Sequence, residues 1–194
     1  MKKRTIDPEQ KMVWVVSSAR SLFVARGYHN VSIPQIVKES GVSTGAIYSY
    51  FANKAELARY IHEQTLLDFQ ERFEARLDGC MSTFEKLRVF AELVFEIVET
   101  DPEQMEYMMF MKHGEFLLEA YPICSTRPFR KIQAIVAEGI EKGELRQGDY
   151  LLSAVSYTGV ILRAAELRLQ GVLQEPLAKS ADELIANAWA AIKV

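Results

Sequence analysis

Apolar residues recur every three or four positions near the start of the chain, which gives a helix one apolar face. Between Asp7 and Arg26 these residues are Met12, Val15, Val16, Ala19, Leu22 and Phe23. Asp7 is a suitable N-cap, and Pro8 suits the first helical position. Gly27 follows the last apolar residues, where glycine commonly ends a helix. The pattern predicts a first helix from Asp7 to Arg26.

Three polar residues mark further helix starts within a short stretch: Ser32, Ser43 and Asn53. Ser32 and Asn53 are each followed three residues later by Gln or Glu, which is the pattern of a capping box. The sequence predicts a short helix that closes before Gly41, a second over 43–50, and a longer one from Lys54 towards Leu77. Three helices joined by sharp turns are typical of a helix-turn-helix.

Prolines and glycines divide the remaining chain into further helical segments. The predicted helices lie at about 82–100, 102–120, 127–142, 149–171 and 180–192. The predicted fold class is therefore all-α, with about nine helices. A helix-turn-helix domain over residues 1–53 precedes a second helical domain over residues 54–194, and the helix from Lys54 connects them.

Composition and charge indicate where this protein works and what it contacts. No apolar run approaches the roughly 20 residues of a membrane span, and the start lacks the apolar core of a signal peptide. Cys80 and Cys124 lack CxxC spacing, so we expect two reduced cysteines in a cytoplasmic protein. Residues 1–54 carry a net charge of +5 and the other 140 carry −8, which favours an anionic partner at the N-terminal end.

The segment over 43–50 has a composition that suits a helix in the major groove. Its first turn is small, so the backbone can approach the groove floor, and its hydroxyl and methyl groups suit base edges. Its tyrosines and the following lysine suit phosphates, although half-buried packing is the alternative role for the tyrosines. The candidate DNA-binding residues are Ser43, Thr44, Gly45, Ala46, Tyr48, Ser49, Tyr50 and Lys54.

Residues 19–57 resemble the DNA-binding domain of the TetR family of bacterial transcriptional regulators. The resemblance lies in "ARSLFVARGY" (19–28), "VSIPQIVKESGVSTGAIYSYF" (31–51) and "NKAEL" (53–57). It implies three N-terminal helices that bind DNA and a helical C-terminal domain that binds a ligand and dimerises. By position it adds Ser32 to the candidate DNA-binding residues. Pro34 and Val37 depart from the family pattern without changing the side that faces the groove.

The segment "MEYMMFMKHGEF" (105–116) contains four of the seven methionines. Methionine is flexible and polarizable and suits an adaptable apolar pocket, although ordinary core packing is the alternative. The segment has no basic pair to neutralise an anion, so we expect a largely apolar, weakly charged effector. The candidate ligand-binding residues are Met105, Met108, Met109, Phe110, His113, Phe116 and Tyr157.

The last two predicted helices contain many small residues, in "SAVSYTGVILRAA" and "IANAWAAI". Small residues allow helices to approach closely, which favours a two-fold four-helix interface between two copies. The three histidines lack the spacing of a metal site, and P-loop and GxGxxG motifs are absent from the sequence. We therefore expect no metal, no cofactor and no enzymatic activity.

The leading hypothesis is a homodimeric transcriptional regulator, specifically a repressor that a small molecule releases from a palindromic operator. Its expected partners are double-stranded DNA, an effector and a second copy, with no membrane. A second hypothesis is a helix-turn-helix regulator controlled by a protein partner that docks on an exposed methionine-rich helix. A third is an enzyme or carrier with a vestigial helix-turn-helix, which would bind no DNA at any salt concentration.

Overall fold

The computed structural model of this protein describes residues 7–111, 114 and 126–194. The described residues form nine α-helices and no strand, which confirms the predicted all-α class. None of these helices is both long and apolar enough to cross a membrane. The helices are α1 (Pro8–Arg26), α2 (Ile33–Ser40), α3 (Thr44–Tyr50), α4 (Lys54–Arg76), α5 (Thr83–Thr100), α6 (Pro102–Phe110), α7 (Arg127–Glu141), α8 (Tyr150–Leu169) and α9 (Ala181–Ala190), with a short 3-10 helix at Leu177–Lys179.

Local caps explain where the N-terminal helices begin. A carboxylate oxygen of Asp7 accepts from the backbone N–H of Glu9 (3.2 Å) before α1. The Ser43 hydroxyl accepts from the N–H of Ala46 (3.3 Å) before α3. Before α4 the Asn53 side chain accepts from the N–H of Glu56 (2.9 Å). The predicted starts are therefore right to within one or two residues.

One predicted helix is longer than the observed one. The sequence pattern gives a helix over 102–120, whereas α6 ends at Phe110 and Met111 lies in a bend. The apolar pattern continues past this point, but Gly114 follows closely, and glycine is unfavourable inside a helix. Most of the remaining positions of the predicted helix lie outside the described residues.

The described residues form two compact units. The first contains the chain up to Thr65 and a segment that begins at Glu106. The second contains Leu66–Met105 and the C-terminal helices. Packing therefore assigns the first half of α4 to the helix-turn-helix unit. The domain boundary after residue 53 remains a prediction from the sequence.

The core of the first unit joins α1, α2, α3 and the start of α4. Its fully buried side chains include Phe23, Ile36, Ile47 and Leu57. Tyr107 from α6 belongs to the same core, and its hydroxyl donates to the backbone carbonyl of Ala58 (3.0 Å). Burial raises the pKa of the Tyr107 phenol. The helix-turn-helix unit thus includes a residue that lies far along the chain.

The core of the second unit is built around α5. Phe90 of α5 meets Phe69 and Phe73 of α4 edge to face, with ring centroids 6.0 and 5.9 Å apart. Tyr157 of α8 is fully buried, and its hydroxyl donates to the backbone carbonyl of Leu87 (3.0 Å). Aromatic packing and one buried hydrogen bond therefore hold α4, α5 and α8 together.

Candidate DNA interface and ligand-binding region

The outer face of α3 carries most of the candidate DNA-binding residues. Thr44, Gly45, Tyr48 and Ser49 are exposed on this face. Ile47 is fully buried on the opposite face and anchors α3 in the helix-turn-helix core. The sequence spacing thus produces a short helix with one packed side and one accessible side of small, hydroxyl and phenol groups. Such a surface can approach a major groove and offer hydrogen bonds to it.

The candidate hydroxyl groups also have local partners. The Ser49 hydroxyl donates to the carbonyl of Ala46 (2.7 Å) within α3. At the start of α2 the amide oxygen of Gln35 accepts from both the N–H (2.7 Å) and the hydroxyl (2.9 Å) of Ser32. Ser32, Ser43 and Ser49 are nevertheless exposed. These bonds hold the hydroxyl oxygens in defined positions on the surface.

Tyr50 lies partly inside the helix-turn-helix unit. Its hydroxyl donates to the carbonyl of Pro8 at the start of α1 (3.3 Å), and its ring packs against Phe51. Tyr48, by contrast, is 51% exposed. The packing role that the sequence allowed for the tyrosines therefore applies to Tyr50, and Tyr48 is the tyrosine that α3 presents to the surface.

Lys54 lies at the first position of α4 with its ammonium group turned towards the protein. Its Nζ donates to the carbonyl oxygens of Tyr28 and Val31, at 2.8 Å each. The same nitrogen lies 4.1 Å from the centre of the Tyr28 ring. The sequence pattern did not predict these contacts, because the residues involved lie more than twenty positions apart.

The candidate ligand-binding residues do not all belong to one compact unit. Met105 and Tyr157 are buried in the second unit, whereas Met108, Met109 and Phe110 fall in the first. His113 and Phe116 lie outside the described residues. The Tyr157 hydroxyl already donates to Leu87, and Phe110 is 45% exposed. The described members of the predicted set are therefore divided between the two units, with Met105 and Tyr157 in the second unit.

Each unit has an open pocket in its described part. A pocket of about 340 Å³ in the first unit lies between the end of α1, the following turn and the end of α6, where Phe110 and Met111 form part of its wall. A pocket of about 560 Å³ in the second unit lies between the loop after α8 and α9. Its wall combines Leu173, Leu177 and Leu184 with the carboxylates of Glu175 and Glu183. Neither pocket is lined by Met105 or Tyr157.

The outer faces of α8 and α9 are apolar and accessible. Leu152 and Val155 of α8 are 67% and 49% exposed. Gly159, one turn further along, has open space where a side chain would lie. Ala186 and Ala190 on α9 are also exposed. Among the described residues, no three His, Cys, Asp or Glu side chains lie close enough together to hold a metal ion.

Comparison with known proteins relates this geometry to bacterial regulators. Residues 15–61 match the family model of bacterial regulatory proteins, tetR family. The Fatty acid metabolism regulator protein of Bacillus subtilis (strain 168) is 25% identical over 148 residues, which cover 71% of this chain and 72% of that protein. Two relatives described as HTH-type transcriptional regulators are matched over only 34% and 50% of their lengths. The matched family region contains the whole of α2 and α3.

Solved structures share the fold over nearly the whole chain. The fatty acid degradation regulator FadR from Bacillus halodurans has a TM-score of 0.80 at 19% identity and covers 97% of both chains. FadR from Bacillus subtilis, solved in complex with stearoyl-CoA, has a TM-score of 0.75 at 20% identity and covers 92% of this chain and 98% of that one. The architecture of both units is therefore that of these regulators.

Proposed function

Since this chain belongs to the TetR family of bacterial regulatory proteins, we propose that it is a homodimeric repressor released from a palindromic operator by a small, largely apolar molecule. The observation that carries the proposal is the exposed outer face of α3, anchored by the buried Ile47. The protein acts in the cytoplasm as a regulator and not as an enzyme.

DNA recognition is assigned to the accessible groups of α3 and its neighbours. Thr44, Gly45 and Ala46 approach base edges, because this turn has no bulky side chain. The hydroxyl groups of Ser32, Ser43, Tyr48 and Ser49 contact phosphates or bases. Tyr50 holds α3 against the start of α1 through its bond to Pro8. Two such helices in a dimer read half-sites about one helical turn apart.

A fatty acyl compound is the first effector class to test. The Bacillus subtilis relative is named as a fatty acid metabolism regulator, and FadR from that organism was solved with stearoyl-CoA. A long acyl chain also agrees with the apolar effector expected from the methionine-rich segment. A free fatty acid carries one carboxylate on a long apolar chain, whereas acyl-CoA carries a large, strongly anionic group. Testing both compounds therefore distinguishes a weakly charged effector from a highly charged one.

The test is binding of the full-length protein to the DNA upstream of its own gene, measured by fluorescence anisotropy. We expect specific binding that weakens about 5–150-fold when oleate or stearoyl-CoA is added. Thr44→Ala should change the sequence preference, whereas Tyr48→Phe should weaken binding to all sequences alike. Absence of DNA binding even at low salt would refute the proposal and favour an enzyme or carrier.

Control by a protein partner is the second candidate function. It is favoured by the exposure of Phe110, which leaves a large aromatic side chain accessible at the end of α6. In this case no acyl compound would release the operator complex, and Phe110→Ser would abolish regulation in cells without changing DNA binding by the purified protein.

A further inference from the structure

One side chain ties the turn between α1 and α2 (Gly27–Val31, the α1–α2 turn) to the start of α4. The Lys54 ammonium donates to two carbonyl oxygens of this turn, those of Tyr28 and Val31, and lies over the Tyr28 ring. We infer that Lys54 is a positioning residue for DNA binding, which holds the α1–α2 turn and the start of α2 where the operator requires them. This inference rests on the proposed DNA-binding function.

Local hydrogen bonds of the α1–α2 turn include one from the N–H of Gly27 to the carbonyl of Phe23 (2.8 Å) and one from the Asn30 side chain to the carbonyl of Arg26 (2.8 Å). Gly27 adopts a positive φ of 76°, which sends the chain away from α1. The N–H of Val31 reaches the carbonyl of Tyr28 only at 3.3 Å, while both side chains are buried. Backbone carbonyl groups that are shielded from water need hydrogen-bond donors from the protein. The two 2.8 Å bonds from Lys54 supply charge-assisted donors, which are shorter and stronger than neutral ones.

The α4 end of this link is fixed by its own cap. The Asn53 side chain accepts from the N–H of Glu56, and the Glu56 carboxylate accepts from the N–H of Ala52 (2.6 Å). The backbone of Lys54 is therefore held at the first position of α4. Since Ser32 directly follows Val31, a displaced Val31 carbonyl would move the start of α2, one edge of the candidate DNA interface.

A positioning lysine and a phosphate-binding lysine differ in a measurable way. Removing one phosphate contact lowers the salt dependence of DNA affinity by about 0.9 logarithmic units per contact. An ammonium has three N–H donors, and two of those of Lys54 are directed at carbonyl oxygens. Loss of Lys54 should therefore weaken binding by loosening the turn, while the number of neutralised phosphates stays the same.

The experiment compares Lys54→Met with Lys38→Met in the full-length protein. Lys38 lies in the last turn of α2 and is exposed, so its variant removes the same charge without touching the α1–α2 turn. The probe is a duplex that the wild-type protein selects from a pool of random 30-base-pair duplexes. Affinity is measured between about 50 and 200 mM salt, and hydrogen exchange is followed by mass spectrometry without DNA.

For Lys54→Met we expect about tenfold weaker binding with an unchanged salt dependence. Hydrogen exchange should become faster over residues 27–36 and stay unchanged in α8. Lys38→Met should leave exchange over 27–36 at the wild-type level. This combination separates positioning from a general loss of stability, which would accelerate exchange throughout the chain.

Two results would overturn the inference. One is a salt dependence that falls by about one unit with unchanged exchange, because Lys54 would then be a phosphate contact. The other is faster exchange everywhere with unchanged affinity of the folded protein, because Lys54 would then serve stability alone. If the wild type selects no duplex, the proposed function fails and with it the role in DNA binding. The exchange measurement needs no DNA and separately decides whether Lys54 holds the turn.

Discussion

Gly139 of α7 packs directly against Thr83 at the start of α5. A Cβ atom at this position would lie 2.7 Å from both Cγ2 and Oγ1 of Thr83 and 3.0 Å from Cδ1 of Leu145. Thr83 is buried, and its N–H donates to the carboxylate of Glu144 (2.8 Å), so it has little freedom to move away. Only a glycine allows this approach of the two helices.

Gly139→Ala should therefore destabilise the protein, even though alanine is the better helix former. Overpacking of this kind typically costs about 1–3 kcal/mol, which exceeds the helix-propensity gain of about 1 kcal/mol. Urea unfolding followed by circular dichroism measures the change. Gly148→Ala is the control, because its added Cβ meets no heavy atom within 4 Å. Equal stability of the two variants would show that α5 and α7 can separate without cost.

Tyr157 illustrates a buried polar group whose stabilising effect depends on pH. Burial raises the pKa of its phenol above the usual value of about 10, and the hydroxyl donates to Leu87. The folded state therefore keeps the proton at a pH where the unfolded chain loses it. The stabilising effect is complete below about pH 10 and decreases as the pH rises above it.

Tyr157→Phe should lower the free energy of unfolding near pH 7 by about 1 kcal/mol, since a hydrogen bond is lost without a cavity. The same variant should lose less stability than the wild type between about pH 9 and pH 11. Tyr150→Phe is the matched control, because Tyr150 is 49% exposed at the start of α8. If the wild type and Tyr157→Phe lost the same amount of stability at alkaline pH, the Tyr157 phenol would ionise as readily in the folded protein as in the unfolded chain.

At the scale of elements, the sequence predicted what is local and missed what is distant. The start of α4 follows from Asn53 and Glu56, which lie three residues apart and cap the helix. By contrast, Tyr107 donates to Ala58, 49 positions away, and periodicity gives no signal for such a pair. Lys54 was recognisable as part of a motif, but its bonds to the α1–α2 turn depend on the tertiary fold that brings the start of α4 next to that turn. The exposed face of α3 was predictable because helical spacing alone separates Ile47 from Tyr48.

The link between α5 and the end of α8 shows how a charged pair joins two helices. Arg168 donates to both carboxylate oxygens of Glu99, at 2.8 and 2.9 Å, and the N–H of Leu177 donates to the same carboxylate (3.1 Å). The hydrogen bonds from Arg168 are the main cause of a lowered pKa of Glu99. The stabilisation is present above the ordinary carboxyl pKa near 4.5 and is lost as the pH falls through the lowered value.

Glu99→Gln should lower stability by about 1 kcal/mol at pH 7, because the pair is bidentate and partly buried. It should also reduce the loss of stability as the pH falls below about 4.5, where the unfolded wild-type chain binds a proton at Glu99 more readily than the folded protein does. Urea unfolding at these pH values tests both effects. Glu175→Gln is the control, since Glu175 pairs with Lys179 on the surface and should change stability by less than about 0.5 kcal/mol. If Glu175→Gln lowered stability more than Glu99→Gln, the pair between Arg168 and Glu99 would not be the stronger of the two ion pairs.

At the scale of the whole molecule, the outer face of α8 is the main candidate for self-association. Leu152 and Val155 are exposed apolar residues about two turns and one turn before Gly159. The accessible Ala186 and Ala190 of α9 provide further small side chains. Two-fold packing of α8 and α9 from two copies would remove this surface from water and form a four-helix interface. Ala164, on the same helix, is buried within the protomer and takes no part in this face.

Val155→Glu should give monomers, because each dimer would bury two unpaired carboxylates close to its two-fold axis. Val172→Glu is the matched control: Val172 is 63% exposed in the loop after α8, so the charge change is the same outside the proposed interface. Sedimentation velocity should show a monomer for the first variant and a dimer for the second. If the proposed operator is palindromic, the monomer should also bind it far more weakly, since one α3 would read only one half-site. If the Val155→Glu variant stays dimeric, the interface lies elsewhere. If it is a monomer with full operator affinity, DNA binding does not require two paired recognition helices.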